Sequence, residues 1–256
     1  MVDNNTIGIE EHRTSKDNRD KDRMLSDIHE EESLLKIEEN KVKDYSDVME
    51  EDHPYFHLFK DKLVQLAGIF EVPSNAASAE PDTTFPLKLN CYQEGKNNIF
   101  IYFFKLPTDI DRYEQISNDF DLQKKFDTNI EEFKKQYEVV GGEAKLIYLS
   151  YKKVLMMSSR DFEYVKYTFR KGNEHWSVCV SDLSREEVSG KVRGEMVLTA
   201  TRIVEVEGGI EVSVYSQIDM KIPIKMEIAK NRGFAEIRKY LDKVYNHLKT
   251  TGDGIL

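Results

Sequence analysis

Ser158–Tyr167 reads SSRDFEYVKY, and its alternation decides the fold class of the chain. Phe162, Tyr164 and Lys166 fall on one side of an extended backbone, with Glu163, Val165 and Tyr167 on the other, which is the period-two pattern of a half-buried strand. Arg160 and Asp161 stand at its start, where neighbouring opposite charges act as a structural lock, through an ion pair or a turn, that fixes where the strand begins. Working outward, runs of the same kind occupy Leu87–Gln93, Ile99–Leu106, Ile130–Val140, Ala144–Leu155, Arg160–Arg170, His175–Ser181, Val192–Val206 and Ile210–Lys221. The turn EGKNN and the pairs Gly141-Gly142, Gly172-Asn173 and Gly208-Gly209 join them closely, and turns that short connect antiparallel neighbours. Helical spacing appears at Pro54–Ala67, where Phe56, Phe59, Leu63, Leu66 and Ala67 share a face, then in short segments at Ile110–Ile116 and Asp119–Phe126. Residues 71–83 read as a loop, and one long helix runs from just after Pro223 to near Lys249. The predicted class is α+β: a curved antiparallel sheet with a long C-terminal helix laid across its concave face.

The acidity of the chain is confined to one end. Residues 1–52 carry 17 Asp and Glu against 8 Lys and Arg, a net of −9 out of −10 for all 256 residues. That segment holds too little apolar surface to offset the ordering of its backbone, so residues 1–23 are expected to be disordered. A thin stripe follows at Leu25, Ile28, Leu35, Val42 and Met49, but Glu32, Glu39 and Ser46 stand where a second coiled-coil seam would run. Two readings of it stay open, a charged helix lying on the domain or moving freely, and an oligomerising helix. The expected division is an acidic, partly disordered extension at 1–52, a globular domain at 53–250 and a flexible tail at 251–256. No run approaches the roughly 20 apolar residues of a membrane span. No basic start with an apolar core marks a signal peptide. A cytoplasmic, peripheral-membrane location is expected, or a secreted or vacuolar one where a leader has been removed. Cys91 and Cys179 each fall inside a strand and read as buried thiols compatible with a reducing compartment, with a disulfide between them the open alternative.

Taken in order, SSRDFEYVKYTFR from Ser158, VSGKVRGEMVLTATRIVEV from Val188, EVSVYSQIDMKIPI from Glu211 and the closing VYNHLK resemble the second half of a START domain, the StAR-related lipid-transfer module. DLQKKFDTNI, Asp121–Ile130, resembles that family's short helix with a basic residue, an aromatic and an aspartate in sequence. The resemblance covers roughly residues 53–250 and implies a helix-grip fold enclosing a lipid cavity, gated by the terminal helix and the loop at about Asp182–Lys191. It is nearest in appearance to the phosphatidylcholine-transfer branch. At the branch's phosphate-contacting position stands Gln123, followed by Lys124 and Lys125, and its aromatic cage maps onto Leu149, Phe162 and Val197. Only Phe162 remains aromatic, so cation–π recognition of choline loses most of its partners. Phe126 replaces the tryptophan before Asp127. Alternation adds Tyr151, Tyr164, Thr199 and Gln217 to the same inner face. The implied ligand is a phospholipid taken with relaxed headgroup selectivity; the alternatives are a lipid sensor or presenter acting on a protein partner, and a ceramide or sterol carrier.

Each of these positions also has a structural reading. Tyr151, Phe162 and Tyr164 suit core filling as well as ligand contact. Thr199 and Gln217 would need partners in a dry interior. Glu195 could pair with Lys166 or Arg193, or read a lipid hydroxyl. The terminal helix carries eight Lys and Arg from Lys221 to Lys249 against three acidic residues. Lys225, Lys230, Lys239 and Lys243 are therefore candidate docking residues for transient contact with an anionic membrane, against the ordinary alternative of a solvated face. Gly233 breaks that helix, as a hinge or as a close-packing point.

Enzymatic readings find little support. None of His12, His29, His53, His57, His175 and His247 falls on the expected inner face, and neither a serine elbow nor a glycine-rich phosphate loop is present. No catalytic residue and no cofactor is expected. His53 and His57 are spaced to chelate but lack a third ligand, so no metal is expected. The acidic balance and the lack of a basic, aromatic-interleaved surface oppose nucleic-acid binding. A monomer is expected.

Overall fold

The computed structural model of the chain describes residues 44–78, 87–139, 142–153, 158–184, 188–222 and 226–251. The stripe from Leu25 to Val42, Gly141, Pro223, Lys225, the middle of the 182–191 loop and the tail after Thr251 lie outside the described residues. In chain order the elements are α1 (Phe56–Gln65), β1 (Ala77–Ser78), β2 (Leu87–Glu94), β3 (Asn97–Leu106), α2 (Ile110–Asn118), α3 (Phe120–Phe126), β4 (Ile130–Glu138), β5 (Ala144–Tyr151), β6 (Arg160–Lys171), β7 (Glu174–Ser181), β8 (Val192–Arg193), β9 (Glu195–Val206), β10 (Gly209–Asp219) and α4 (Met226–Thr251). The strands form one sheet in the order β1-β2-β3-β10-β9-β7-β6-β5-β4. Every pairing along that path is antiparallel, and β8 adds a short parallel contact to β6. Helices α2 and α3 carry the chain from β3 to the far edge strand β4. Asp109 and Asp119 start them by accepting hydrogen bonds from the amides of Arg112 and Leu122, at 2.7 and 2.9 Å.

Both faces of the sheet are covered, by different parts of the chain. On the outer face Val165, Tyr167, Phe169, Trp176, Val178 and Ala200 pack against Phe59 and Leu63 of α1. Phe59 and Leu63 are fully buried, and burial of such a side chain contributes about 1.5–3 kcal/mol. Tyr45 and Met49 belong to the same cluster. The Tyr45 ring meets Trp176 edge-on at 4.9 Å, and its hydroxyl donates to Glu174 at 2.7 Å. The compact unit accordingly begins at Asp44, ahead of the boundary expected at residue 53. On the inner face the long helix α4 buries Phe234, Leu241, Val244 and Leu248 against Leu87, Leu89, Phe104 and Val212, a spacing of seven, three and four that keeps one helical stripe on the sheet.

SSRDFEYVKY lies within this double cover. Asp161 to Tyr167 are all buried, so the strand is closed on both sides where its pattern predicted one solvated face. The charges at its start are each held by other elements. Asp161 accepts from Arg193 of β8 at 2.9 Å, with Glu163 at 3.6 Å from the same guanidinium. Arg160 donates to the backbone carbonyls of Met220 and Ser158. They are a lock, as expected, but the two side chains do not pair with one another.

Candidate functional site

The inner face is built from the strand positions that alternate with the sealed outer ones. On β9, outward Leu198 and Ala200 are completely closed off, whereas inward Thr199 and Thr201 keep accessible surface although they lie mid-sheet beneath helices. The same asymmetry occurs on β3, with Ile99 and Ile101 sealed and Phe100 and Tyr102 half-buried. At these mid-strand positions the outward neighbours are closed and the inward ones are not, which leaves room between sheet and helices there. Phenols reach it from several elements: Tyr102 on β3, Tyr113 on α2, Tyr151 on β5, Tyr164 on β6 and Tyr240 on α4. Desolvation raises the pKa of every one of them, that of Tyr240 to about 12. Besides desolvation, ionisation of Tyr240 or Tyr151 would raise the Tyr102 pKa further, although four strands separate β3 from β5 in the sheet. Phenols so far apart in strand order approach one another only where the sheet curls.

Most of the expected inner-face residues are brought together. Leu149 pairs with Phe162 across β5 and β6, and Ile147 with Tyr164; all four share a cluster with Met196, and Tyr151 packs against it. Tyr151 meets Phe162 edge-on at 6.0 Å. The Phe162 ring also lies on the backbone of Gly194, where a Cβ would stand 2.3 Å from a ring carbon. Thr199 sits opposite Cys179 on the inner side, and Val197 is the residue that β9 inserts between the pairs Leu198–Gln217 and Met196–Ile218. Gln217 is a correction. It pairs with Leu198 on the outer face and accepts a hydrogen bond from Tyr215 at 3.2 Å. The alternation of β10 runs unbroken through it, with Tyr215 and Gln217 on one face and Ser216 and Ile218 on the other, and the extra residue of the adjacent bulge belongs to β9.

Gln123 is buried, with both ends of its amide in use. Its nitrogen donates to the Ile116 carbonyl and its oxygen accepts from the Tyr240 hydroxyl, each at 2.8 Å. It therefore ties α3 to the end of α2 and to the terminal helix. Lys243 is likewise engaged, donating to the carbonyls of Phe126 and Lys125 at the end of α3, at 2.7 and 3.4 Å. That is a helix cap. Lys230 is half-buried next to Cys91, and Lys239 is exposed with Glu236 at 3.9 Å. Gly233 packs directly on Phe100, where a Cβ would stand 2.3 Å from the ring, so the close-packing reading is the one observed.

A charged network was missed. His175 pairs with Ile203 and so lies on the inner face, contrary to the placement expected of every histidine. Its Nε2 is 3.4 Å from Glu114 of α2, and Lys166 donates to Asn118 at 3.1 Å with Glu114 at 3.6 Å. Burial pushes the Glu114 carboxyl upward, but the nearby His175, the Lys166 charge and the hydrogen bond from Asn118 outweigh it and hold the pKa at about 2. Glu195 pairs with neither Lys166 nor Arg193; its partner is Lys221, at 3.2 Å. Cys91 and Cys179 are free thiols whose pKa burial raises to about 11. The missed phenols had a faint signal, since Phe100, Tyr102 and Phe104 alternate in a strand whose other face is aliphatic. Nothing local tied Tyr113 or Tyr240 to them.

No family model matches the sequence, and no curated protein matches it. Solved structures do resemble it. Human STARD10 superimposes with a TM-score of 0.60 at 12% identity, over 80% of this chain and 85% of that one. The human StAR-related lipid transfer protein 5 gives 0.61 at 12% identity, over 75% and 93%. A fragment of the STAR-related lipid transfer protein from Xanthomonas axonopodis gives 0.55 at 14% identity, over 69% and 99%. The chain has the helix-grip α+β fold of START domains, a large antiparallel sheet with a C-terminal helix. Among the described residues no helix is long and apolar enough to cross a membrane.

Proposed function

We propose that the chain is a lipid carrier that shields one lipid on the inner face of its sheet and moves it between membranes. The observation that carries this reading is the partial accessibility of inward Thr199, Tyr102 and Tyr151, in the middle of a sheet that α4 covers, next to outward neighbours Leu198, Ala200, Ile99 and Ile101 that are closed. Removing a lipid tail from water contributes about 0.8 kcal/mol per methylene, so an apolar interior is enough to hold one. The cluster of Ile147, Leu149, Phe162 and Met196 suits the tails of the phospholipid that the sequence leads one to expect. Choline selectivity finds no support, because Leu149 and Val197 are aliphatic. The proposed gate is α4 with the 182–191 loop. In its support, Leu183 and Val188 on that loop and Ile228 in the first turn of α4 are exposed apolar side chains, 58%, 40% and 52% accessible. Exposed Lys239 would then meet the anionic surface.

Transfer of a fluorescent phospholipid from donor vesicles of phosphatidylcholine and phosphatidylserine to acceptors, at substoichiometric protein, tests the reading. Transfer is expected, and Lys239→Glu is expected to slow it on anionic vesicles at unchanged folding. Equal rates would remove the docking role. Stoichiometric binding without transfer would turn the reading toward a sensor or presenter.

A further inference from the structure

The end of the sheet from which α4 departs carries a cluster of charges with no part in the inner face. Asp219 and Glu195 are paired across the ends of β10 and β9. Like charges placed opposite one another repel, and Lys221 bridges them, with its Nζ 2.8 Å from Asp219 and 3.2 Å from Glu195. Lys96, in the turn between β2 and β3, brings Asp219 a second ammonium group at 2.8 Å. The Lys221 amide donates to the other Asp219 oxygen at 2.8 Å, and Arg160 Nε donates to the Met220 carbonyl at 3.4 Å. Burial would raise the Asp219 pKa, but the hydrogen bonds from Lys221 and Lys96 outweigh it and hold it at about 2. One carboxylate, 11% accessible, thus gathers two cations that are 74% and 38% accessible.

Lys221 lies between β10 and α4, and among the described residues it is the one non-glycine with a left-handed backbone, at φ 53°. An L-residue rarely adopts that conformation and keeps it only where its surroundings impose it. Here the bonds to Asp219 and Glu195 impose it. Beyond this root, Phe234 is the first buried side chain of α4, so residues 226–232 rely on the root for their position more than on the core. Two tendencies therefore meet at Lys221. The ion pairs hold the root, while backbone strain and the repulsion between Asp219 and Glu195 act to release it. Ion pairs that partly face water are weak and are screened by other charges, so a surface dense in lipid phosphates can exchange them.

We infer that Lys96 and Lys221 form a contact site for the phosphates of an anionic bilayer, with Asp219 as its internal competitor: docking draws the two ammonium groups from Asp219 and so unlatches the root of α4. The inference rests on the carrier reading and places part of its docking step, with the release that follows, at residues outside the terminal helix. A bilayer is the occupant that the surroundings favour. Leu183, just after β7, and Ile228, in the first turn of α4, are exposed apolar side chains at the same end of the sheet, and a lipid surface offers acyl chains for them beside the phosphates.

Two measurements on the full chain test this: sedimentation with vesicles of phosphatidylcholine and phosphatidylserine, and hydrogen exchange without vesicles in peptides covering residues 226–232. Lys96→Gln and Lys221→Gln are each expected to weaken binding to the vesicles by about fivefold. Asp219→Asn is expected to move the other way, binding more tightly while exchange at 226–232 rises by about twofold to fivefold. Glu207→Gln, the same neutralisation in the β9–β10 turn at the opposite end of the sheet, controls for net charge and should change neither readout. Lys221→Arg keeps the cation and should behave as the parent, and thermal melting confirms that each variant is folded. Lysine variants that bind as the parent does, or an Asp219→Asn variant that matches Glu207→Gln in both readouts, would overturn the inference and leave the carrier reading standing. Displacement from the vesicles by inorganic phosphate at matched ionic strength would overturn the bilayer as occupant. A parent that docks through Lys96 and Lys221 but transfers no lipid would overturn the carrier reading and leave the site.

Discussion

Replacing Arg193 by alanine probes the clasp at the start of β6. The guanidinium bonds Asp161 at 2.9 Å and lies 3.6 Å from Glu163, and the three side chains are 7%, 0% and 9% accessible. The backbone around it is pinned as well, since the Val192 and Gly194 amides donate to the Ser159 and Asp161 carbonyls at 2.9 and 2.8 Å. Removing one partner of a buried pair leaves an uncompensated charge and costs about 3–5 kcal/mol. Here one truncation strips the cation from two carboxylates, which places Arg193→Ala at the upper end of that range. Asp161→Ala should cost less, because Arg193 keeps Glu163. Urea denaturation at neutral pH measures each loss through the midpoint at constant slope. In the double variant the cost should fall short of the sum of the singles by about 1–3 kcal/mol, the coupling expected of contacting residues. A loss below about 1 kcal/mol for Arg193→Ala, or strictly additive losses, would show that the clasp contributes little, as exposed pairs do.

Two further predictions concern the inner face. Glu114 has an ordinary pKa of 4.5 and a folded value of about 2, so its pairing with His175 and Lys166 stabilises the fold above pH 4.5 and that contribution is lost as the pH falls toward 2. Thermal melts across that window should fall more steeply for the parent than for Glu114→Gln; parallel curves would contradict the network. Gly233→Ala gains about 1 kcal/mol of helix propensity. It also drives a Cβ to 2.3 Å from the Phe100 ring, and overpacking of that kind costs about 1–3 kcal/mol. Net destabilisation, relieved by adding Phe100→Leu, is expected from urea curves. A variant stabilised by the full propensity gain would return Gly233 to the role of hinge.

Element type was legible in the sequence because it depends on local periodicity. The expected β2, β3, β6, β7 and β10 match the observed strands to within a residue or two at most ends, and the terminal helix begins and ends close to where it was expected. Faces were legible only while the period held. Leu149, Phe162 and Tyr164 lie where alternation puts them, whereas Met196 joins the inner cluster because β9 inserts one residue at Val197, and Gln217 lies with Tyr215 on the outer face. Partners were the least legible. Lys243 on α3, Glu195 on Lys221, His175 on Glu114 and Tyr45 on Glu174 are joined by chain reversals that no local pattern encodes. The boundary at residue 53 failed for the same reason. Tyr45 and Met49 sit in a run of charges, and only the tertiary contact with Trp176 and Phe59's cluster makes them core.

The two faces of β6 divide the labour of the fold. Outward, Val165, Tyr167 and Phe169 join a sealed aromatic and aliphatic cluster, and Asp161 and Glu163 share one guanidinium, so those positions chiefly stabilise the fold. Inward, Phe162 rests on Gly194 and Tyr164 joins Ile147 and Leu149, so those positions border the room between sheet and helices. A fold can leave one face loosely filled because the other supplies the stability. On the proposed carrier reading, alternation in SSRDFEYVKY would separate stability from recognition one residue at a time: outward substitutions should change the urea midpoint, and inward ones the uptake of lipid.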